Sequence, residues 1–319
     1  MAERRQIRSD VKKEVHKTDQ EEKPVLKKKQ KGKSRSDDIR DVSVFKRLAI
    51  IAIIIIVFTY ARDYLINKYT VENIEERPFV SVDETVSRRF LNVKCSPDYE
   101  MRFQGCSPKK CGRVVMDGLV SQDEAAELVA LAKKGMAHGD SAGGPTILDL
   151  HSGALTLGKK FVNIYKITKD LFTARDFEVY KSVKNKIQNA IAQEFGLRRS
   201  KLYLTKPTFF SKITSKPAKT EHDEYWHPHV DKVTYGSFYY TSLLYLSDYK
   251  RNFTGGRFVF VDKYRNNTVE PKTGRVSFFT SGSENLHHVQ KVSSGTRYAI
   301  TVSFTCDKQH AISDPAKGS

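Results

Sequence analysis

After Gly196 the chain is a series of short segments in which apolar and polar residues alternate, and turn-rich intervals rather than helical patterns separate them. Alternation with a period of two is typical of strands that bury one face. The segments predict strands at 202–205, 208–211, 225–230, 238–246, 256–260, 275–280 and 298–304. About seven consecutive strands of this length predict a double sheet of the double-stranded β-helix, or jelly-roll, type.

Two helical patterns and one further strand precede these segments. The apolar run at 113–120 predicts the strand. Ser121 and Glu124 form a capping box that begins the first helix, and a second amphipathic pattern spans 173–195. The residues between 138 and 158 are rich in Gly, Ser and Asp and predict a loop. Helices followed by strands indicate an α+β domain whose flanking helices pack on the outside of the sheets.

The N-terminal part of the chain has a different character. Residues 1–47 hold 16 Lys and Arg against 9 Asp and Glu, so they are predicted to be a disordered basic tail that cannot bury enough apolar surface to fold. The isoleucine-rich run that follows, extended to residues 48–66, reaches the roughly 20 residues of a membrane span. A signal peptide and a buried core helix are the alternatives. The basic flank and the lack of a cleavage site favour one transmembrane helix.

This helix would be a signal anchor, which leaves the basic tail in the cytoplasm and makes the chain a single-pass type II membrane protein. Everything after residue 67 would then lie in the lumen of the secretory pathway, in the endoplasmic reticulum or the Golgi. Residues 67–112 are polar and predict a lumenal stalk, 113–306 predict the folded domain, and 307–319 predict a C-terminal tail.

Cysteines and glycosylation sequons are consistent with that orientation. Asn252 and Asn266 begin Asn-x-Thr sequons in a stretch that is predicted to be exposed loop, so the lumenal part is predicted to be a glycoprotein. In an oxidising compartment four cysteines could form two disulfides with three possible connectivities, and reduced thiols are the alternative. They are Cys95, Cys106, Cys111 and Cys306.

Two histidines and one aspartate predict a metal site. His229 and Asp231 are two residues apart, so on an extended strand both side chains would leave the same face and could bind one ion together. His287 and His288 offer a third ligand. Two imidazoles and one carboxylate are the facial triad of non-heme Fe(II) oxygenases, which leaves coordination positions open. His227 is separated from His229 by a proline, and we expect it at the entrance of the site instead.

The last predicted strand adds a cation. Arg297 alternates with Tyr298 and Ile300, so it should face a cavity beside the small residues Ala299 and Thr301. A buried arginine needs an anion, because an unpaired buried charge is costly. A dicarboxylate bound to the metal at one end would present its other carboxylate to this guanidinium. An internal salt bridge is the alternative.

Four motifs occur in a recognisable order: His229-Val-Asp231, the segment 271–279, His287-His288-Val289 and the segment 295–300. Together they resemble the 2-oxoglutarate and iron-dependent dioxygenases of the prolyl and lysyl hydroxylase class, over about residues 113 to 306. The resemblance implies Fe(II), 2-oxoglutarate as cosubstrate, a dependence on L-ascorbate, and a protein or peptide substrate.

The resemblance also implies roles for single residues. His229 and Asp231 match the family's His-x-Asp pair, and Arg297 matches its basic anchor for 2-oxoglutarate. Counting ten residues back from that anchor gives His287 as the distal ligand, with His288 as the alternative. An aromatic hydroxyl often assists the anchor, and the candidates are Tyr245 and, as weaker choices, Tyr239 and Tyr240.

These observations predict a membrane-anchored lumenal dioxygenase that hydroxylates a protein side chain and releases succinate and CO2. No catalytic residue beyond the metal ligands is predicted. A catalytically silent jelly-roll binding module is the first alternative, and a basic tail that binds anionic lipid or a cytosolic partner is the second. Nucleic-acid binding is not predicted, because the positive charge is spread along the chain without an aromatic platform.

Overall fold

A computed structural model describes residue 44, residues 46–62 and residues 76–316. The chain divides into two compact units, Met1–Thr70 and Val71–Ser319. In the first unit residues 46–62 form helix α1, whose large apolar side chains are exposed. None of the helices in the described residues is both long enough and apolar enough to cross a membrane. Residues 63–66 of the predicted span at 48–66 and residues 1–43 of the predicted tail lie outside the described residues.

The described part of the second unit contains fourteen strands and four α-helices. Its first half holds β1 (Glu76–Val80), β2 (Arg89–Val93), β3 (Cys111–Met116), α2 (Gln122–Met136), β4 (Thr146–Leu148), β5 (Ala154–Leu157), β6 (Lys160–Asn163), α3 (Ile164–Ile167) and α4 (Ala174–Phe195). Its second half holds β7 (Tyr203–Thr214), α5 (Asp231–Tyr235), β8 (Tyr240–Tyr245), β9 (Phe253–Gly255), β10 (Phe258–Phe260), β11 (Asn266–Val269), β12 (Val276–Thr280), β13 (His287–Val289) and β14 (Val292–Thr305).

These strands form two sheets. The larger has ten strands in the order β2-β3-β12-β8-β14-β7-β4-β5-β6, with β9 paired to β14, and the smaller has the order β1-β11-β10-β13. The two sheets share one apolar cluster, to which the large sheet contributes Val115, Leu243 and Phe279 and the small sheet contributes Phe258 and Val269. The sheets therefore pack face to face. This is the predicted double-sheet, jelly-roll-like core.

The helices cover the other face of the large sheet. Leu128 of α2 and Ile187 of α4 are completely buried in a second cluster with Phe278 and Phe304 of the sheet. Each such side chain contributes about 1.5 to 3 kcal/mol by leaving water. Helix α2 begins with the predicted capping box of Ser121, and both helix predictions and the α+β class are confirmed.

Several local predictions are wrong. The predicted loop at 138–158 contains β4 and β5, which are held by pairing to β7 and β6 rather than by a visible apolar alternation. In the described residues of the second unit, regular structure begins at Glu76 instead of at residue 113, because β1 pairs with β11 and β2 pairs with β3. The described residues 76–112 of the predicted stalk thus join both sheets. The sequon at Asn266, predicted as exposed loop, begins β11, whereas Asn252 is exposed.

The most informative error concerns residues 225–230, which form no strand. Pro228 has no backbone N–H to donate to a ladder, and the only pairing in this stretch is an isolated bridge between His229 and His287. Asp231 is the first residue of helix α5. His229 and Asp231 therefore do not share one face of a strand, and another arrangement must bring them together.

Two disulfides attach the N-terminal part of the unit to its sheets. Cys95 is bonded to Cys111, 16 residues away, and Cys106 is bonded to Cys306, 200 residues away. Of the three connectivities that the sequence leaves open, the structure contains this one. The second bond joins the segment before β3 to the residue that follows β14.

We expect the two disulfides to differ in their contribution to stability. A crosslink restricts the unfolded chain more when it closes a longer loop, which gives about 5 kcal/mol for Cys106–Cys306 and about 3 kcal/mol for Cys95–Cys111. Urea unfolding of the Cys106→Ser/Cys306→Ser and Cys95→Ser/Cys111→Ser double variants measures both. A larger loss of unfolding free energy in the second variant would contradict this expectation.

Candidate metal centre and cosubstrate cavity

Two reciprocal backbone hydrogen bonds bring the predicted metal ligands together. The N–H of His229 donates to the carbonyl of His287 at 2.9 Å, and the N–H of His287 donates to the carbonyl of His229 at 3.1 Å. A third bond, from the N–H of Lys232 to the carbonyl of Ser281 at 2.9 Å, fixes the start of α5 just after Asp231. Backbone contacts between a loop, a helix and a strand thus create the site.

The three side chains converge on one point. Asp231 Oδ1 lies 3.6 Å from Nε2 of His229 and 3.6 Å from Nε2 of His287. One potential ligand atom of each residue lies within 4.8 Å of those of the other two. The side chains of Asp231 and His287 are 6% and 4% exposed, whereas that of His229 is 40% exposed. The ion would therefore be reached from the side of His229.

Hydrogen bonds set the tautomer of both imidazoles. Nδ1 of His287 contacts the carbonyl of Asn285 at 2.8 Å, and Nδ1 of His229 contacts the carbonyl of His227 at 3.0 Å. A carbonyl can only accept, so each Nδ1 carries a proton, which leaves Nε2 of each ring as the atom that can bind a metal. Burial lowers the pKa of His287 to about 4, so this ring is neutral at physiological pH.

A buried arginine anchors Asn285, the residue whose carbonyl orients His287. Arg113 donates from Nε to the side-chain oxygen of Asn285 at 2.7 Å and from both Nη atoms to Asp262 at 2.7 and 2.6 Å. The imidazole of His287 also stacks on Phe258, with ring centroids 5.0 Å apart. Rigid neighbours of this kind keep a ligand ring in one orientation.

His288 is not part of this group. It follows His287 in β13, where successive side chains point to opposite faces, and it pairs with Val259 of β10. The cavity next to this group is lined by His287 and Val289 but not by His288. Of the two adjacent histidines, His287 is therefore the one that joins His229 and Asp231.

The converging side chains line a cavity of about 380 Å³, which is within the range of small-molecule sites. Arg297 lines the same cavity and is 1% exposed. Its Nε donates to the carbonyl of Gly256 at 2.9 Å, while Nη2 is buried and has no hydrogen-bond partner among the described residues. Burial lowers the pKa of this guanidinium. No internal salt bridge to Arg297 occurs in the described part of the chain.

The tyrosine candidates occupy different places. Tyr245 is buried next to Arg297, with its ring centroid 5.7 Å from the guanidinium carbon, and its hydroxyl contacts that of Ser277 at 3.0 Å. Tyr240 donates to the carbonyl of Cys106, away from the cavity. The cavity is lined instead by Tyr225, whose hydroxyl accepts from the N–H of Val292. Sequence reasoning missed Tyr225 as a cavity residue although it opens the stretch that contains His229.

Two imidazoles, one carboxylate and an unpaired arginine in one cavity define the class of the protein. The donor set suits Fe(II) with open coordination positions, and the arginine suits a cosubstrate that carries a carboxylate. These are the features of an iron-dependent oxygenase that uses an oxo acid.

Comparisons with known proteins agree. Residues 216–305 match the model of the 2OG-Fe(II) oxygenase superfamily. The chain is 60% identical over 238 residues to 2-oxoglutarate and iron-dependent oxygenase domain-containing protein 3 of Xenopus tropicalis. The aligned region covers 73% of this chain and 75% of that protein. It is 30% identical over 227 residues to prolyl 3-hydroxylase 1 of Rattus norvegicus, covering 63% of this chain and 30% of that protein.

A solved prolyl hydroxylase of Trichoplax adhaerens, in complex with a peptide fragment of hypoxia inducible factor, is 15% identical to the chain. The alignment has a TM-score of 0.42 and covers 62% of this chain and 85% of that one. On the strength of the sequence relatives, the chain belongs to the 2OG-Fe(II) oxygenase superfamily, in the group of 2-oxoglutarate and iron-dependent oxygenase domain-containing protein 3. It is a 2-oxoglutarate-dependent dioxygenase.

His287→Ala and His288→Ala are a matched pair of variants that tests which histidine binds the metal. We expect His287→Ala to weaken Fe(II) binding by more than the roughly 10- to 100-fold that an outer-sphere loss costs, since it removes a ligand atom. His288→Ala should bind Fe(II) like the wild type. Anaerobic equilibrium dialysis measures binding, and circular dichroism checks that both variants fold. Weaker binding in the second variant than in the first would show that the assignment is wrong.

Proposed function

We propose that this dioxygenase hydroxylates an uncharged side chain of a polypeptide substrate and that His229, Asp231, His287 and Arg297 are the residues that hold its iron and its cosubstrate. The observation that carries the proposal is the unpaired arginine. Three arginines are among the largest fully buried side chains of the described residues: Arg113, Arg275 and Arg297.

The other two buried arginines are paired internally. Arg113 forms a two-pronged ion pair with Asp262, and Arg275 forms one with Asp117 at 2.8 and 2.9 Å. Arg297 alone of the three has a buried Nη atom without a partner in the described residues. Leaving such a charge unpaired is costly, so the guanidinium is suited to an anion that the chain itself does not supply.

When bound, Fe(II) and 2-oxoglutarate supply the oxidising chemistry, in which decarboxylation of the cosubstrate to succinate and CO2 is coupled to the insertion of oxygen into a C–H bond. The side chains of the protein act by position. His229, Asp231 and His287 hold the metal through three atoms, and Arg297 binds the far carboxylate of 2-oxoglutarate. The buried imidazole and the aromatic rings around it limit the access of water to this side of the cavity.

The residues that line the cavity favour a substrate whose target side chain is uncharged. Pro145, Ile147, Pro207, Phe209 and Phe238 give the cavity an apolar lining. Apart from Asp231 and Arg297, the one formally charged residue that lines it in the described part of the chain is Glu224. Its carboxylate contacts Nε2 of His227 at 2.5 Å. A lysine side chain would therefore find only this partly exposed carboxylate, one oxygen of which already contacts His227. The relative prolyl 3-hydroxylase 1 is named for the hydroxylation of proline, which is also uncharged.

The compartment is a further part of the proposal. The two disulfides support an oxidising lumen, since such bonds persist in the secretory pathway and are rare in the cytosol. We propose that the apolar residues 48–66 anchor the protein in the membrane, with glycosylation at Asn252 and Asn266. L-Ascorbate as a reductant rests on the family resemblance alone. The catalytically silent alternative is not favoured, because all four proposed site residues are present.

Arg297→Gln tests the cosubstrate anchor, and Arg257→Gln is a matched control. Arg257 pairs with Glu76 and Gln290 outside the cavity. Removing one partner of a buried charge pair costs about 2 to 5 kcal/mol, so Arg297→Gln should raise the KM for 2-oxoglutarate by roughly 30-fold or more. Arg257→Gln should leave it unchanged. Succinate release measures both. A folded Arg297→Gln protein with an unaltered KM would contradict the assignment of the anchor.

Peptide pairs that differ only at the target position test the substrate class. Peptides with proline or leucine at that position should be hydroxylated, and the lysine counterpart should react at least roughly tenfold more slowly, because its charge would be buried without a partner. Mass spectrometry detects the gain of one oxygen atom. Preference for lysine, abolished by Glu224→Gln, would show that Glu224 recognises a cationic substrate and that the proposed class is wrong.

A further inference from the structure

We propose that Thr241 is a positioning residue that keeps Asp231 a one-oxygen ligand, so that the metal retains the open positions that the cosubstrate and oxygen need. The inference rests on the proposed function of this site and goes beyond it in assigning a task to a residue that binds neither metal nor cosubstrate. Thr241 lies in the middle of the large sheet, in β8, and is 3% exposed.

The hydrogen bonds around Asp231 run in one direction. Thr241 Oγ1 lies 2.6 Å from Asp231 Oδ2, and Ser281 Oγ lies 2.8 Å from Thr241 Oγ1. A carboxylate can only accept, so the single hydroxyl proton of Thr241 goes to Asp231. Ser281 must then be the donor to Thr241. The result is a chain of donation from Ser281 to Thr241 to Asp231, and all three residues are buried.

This chain separates the two oxygens of the carboxylate. Oδ1 lies 3.6 Å from Nε2 of both His229 and His287, at the side where a metal would bind. Oδ2 is occupied by the short bond to Thr241, and a hydrogen bond to an ionised group is stronger than one between neutral groups. Asp231 therefore offers one oxygen to the metal, and rotation to offer both would break the bond to Thr241.

The donors themselves are held by backbone pairing. Thr241 pairs with Phe279 of β12 on one side and with Ser303 of β14 on the other. The N–H of Ser281 donates to the carbonyl of Tyr239 at 3.0 Å, and its carbonyl accepts from the N–H of Lys232. Because the main chain is fixed at both residues, neither hydroxyl can move far with the carboxylate if it rotates. The sheet thus fixes the position of the carboxylate.

A carboxylate without this restraint can bind a metal through both oxygens and occupy one more coordination position. The second oxygen of Asp231 would then also bind the metal, so the affinity for the metal would be kept. It would, however, occupy a coordination position that 2-oxoglutarate needs. Removal of the hydroxyl should therefore weaken cosubstrate binding while metal binding is kept. A residue with only a structural role would weaken both together or lower the stability of the fold.

Thr241→Val removes the hydroxyl and keeps the shape of the side chain. Thr241→Ser keeps the hydroxyl and removes only the methyl group. Ser242→Ala is the matched control, because Ser242 is a buried hydroxyl on the same strand that donates to the carbonyl of Val302. Fe(II) binding is measured by anaerobic equilibrium dialysis. Binding of 2-oxoglutarate to the Fe(II) protein is measured by anaerobic titration of the metal-to-ligand charge-transfer absorption.

We expect Thr241→Val to raise the dissociation constant of 2-oxoglutarate by roughly tenfold or more. Fe(II) binding should stay within about threefold of the wild type, because the second oxygen of Asp231 would offset the roughly 10- to 100-fold loss of metal affinity that is typical when an outer-sphere partner is removed. Thr241→Ser and Ser242→Ala should match the wild type in both measurements. An unchanged constant for 2-oxoglutarate, or an equal loss of metal and cosubstrate binding, would overturn the inference. Absence of the absorption band in the folded wild type would instead overturn the proposed function.

Ser281→Ala gives an independent measurement if Thr241→Val does not fold. It removes the donor to Thr241 and leaves the bond to Asp231 with a less polarised hydroxyl. The dissociation constant of 2-oxoglutarate should rise in the same direction by a smaller factor, with Fe(II) binding retained. A Ser281→Ala protein that binds 2-oxoglutarate like the wild type would overturn the inference.

Discussion

The reciprocal pair of backbone hydrogen bonds between His229 and His287 is the contact on which the rest of the site depends. It joins a loop that cannot form a strand to the first residue of β13, and it brings two imidazoles within reach of the same ion. Asp231 completes the group because α5 begins immediately afterwards and is fixed to Ser281. The geometry of the metal centre is therefore set by the main chain, and the side chains need little freedom to complete it.

Buried polar groups around this contact fall into two kinds. Most have hydrogen-bond partners inside the protein. Arg113 donates to Asn285, whose carbonyl orients His287, and Thr241 donates to Oδ2 of Asp231. The Nε2 atoms of His229 and His287, Oδ1 of Asp231 and Nη2 of Arg297 are not used in this way, and all of their residues line one cavity. Because these four atoms converge on one cavity, they describe the ligand: a metal ion at one end and an anion at the other.

Local patterns in the sequence predict the elements that depend on local interactions. The capped helices, the later strands and the pairing of His229, Asp231 and Arg297 in one site could be inferred in this way. Strands β1 and β2 could not, because their partners are decided by tertiary contacts such as that between Glu76 and Asn266. The alternation around Pro228 resembles a strand but reflects the residues that we propose hold the metal. Thr241 has no signal of its own, since a buried hydroxyl on a strand is indistinguishable in sequence from ordinary core.

The most direct measurement of the central claim is a crystal structure of the protein with Mn(II) and 2-oxoglutarate, grown without oxygen. We expect one metal ion about 2 Å from Nε2 of His229, Nε2 of His287 and a single oxygen of Asp231, with the far carboxylate of 2-oxoglutarate on Nη2 of Arg297. A metal ion bound by His288, or a cosubstrate whose far carboxylate lies away from Arg297, would contradict it.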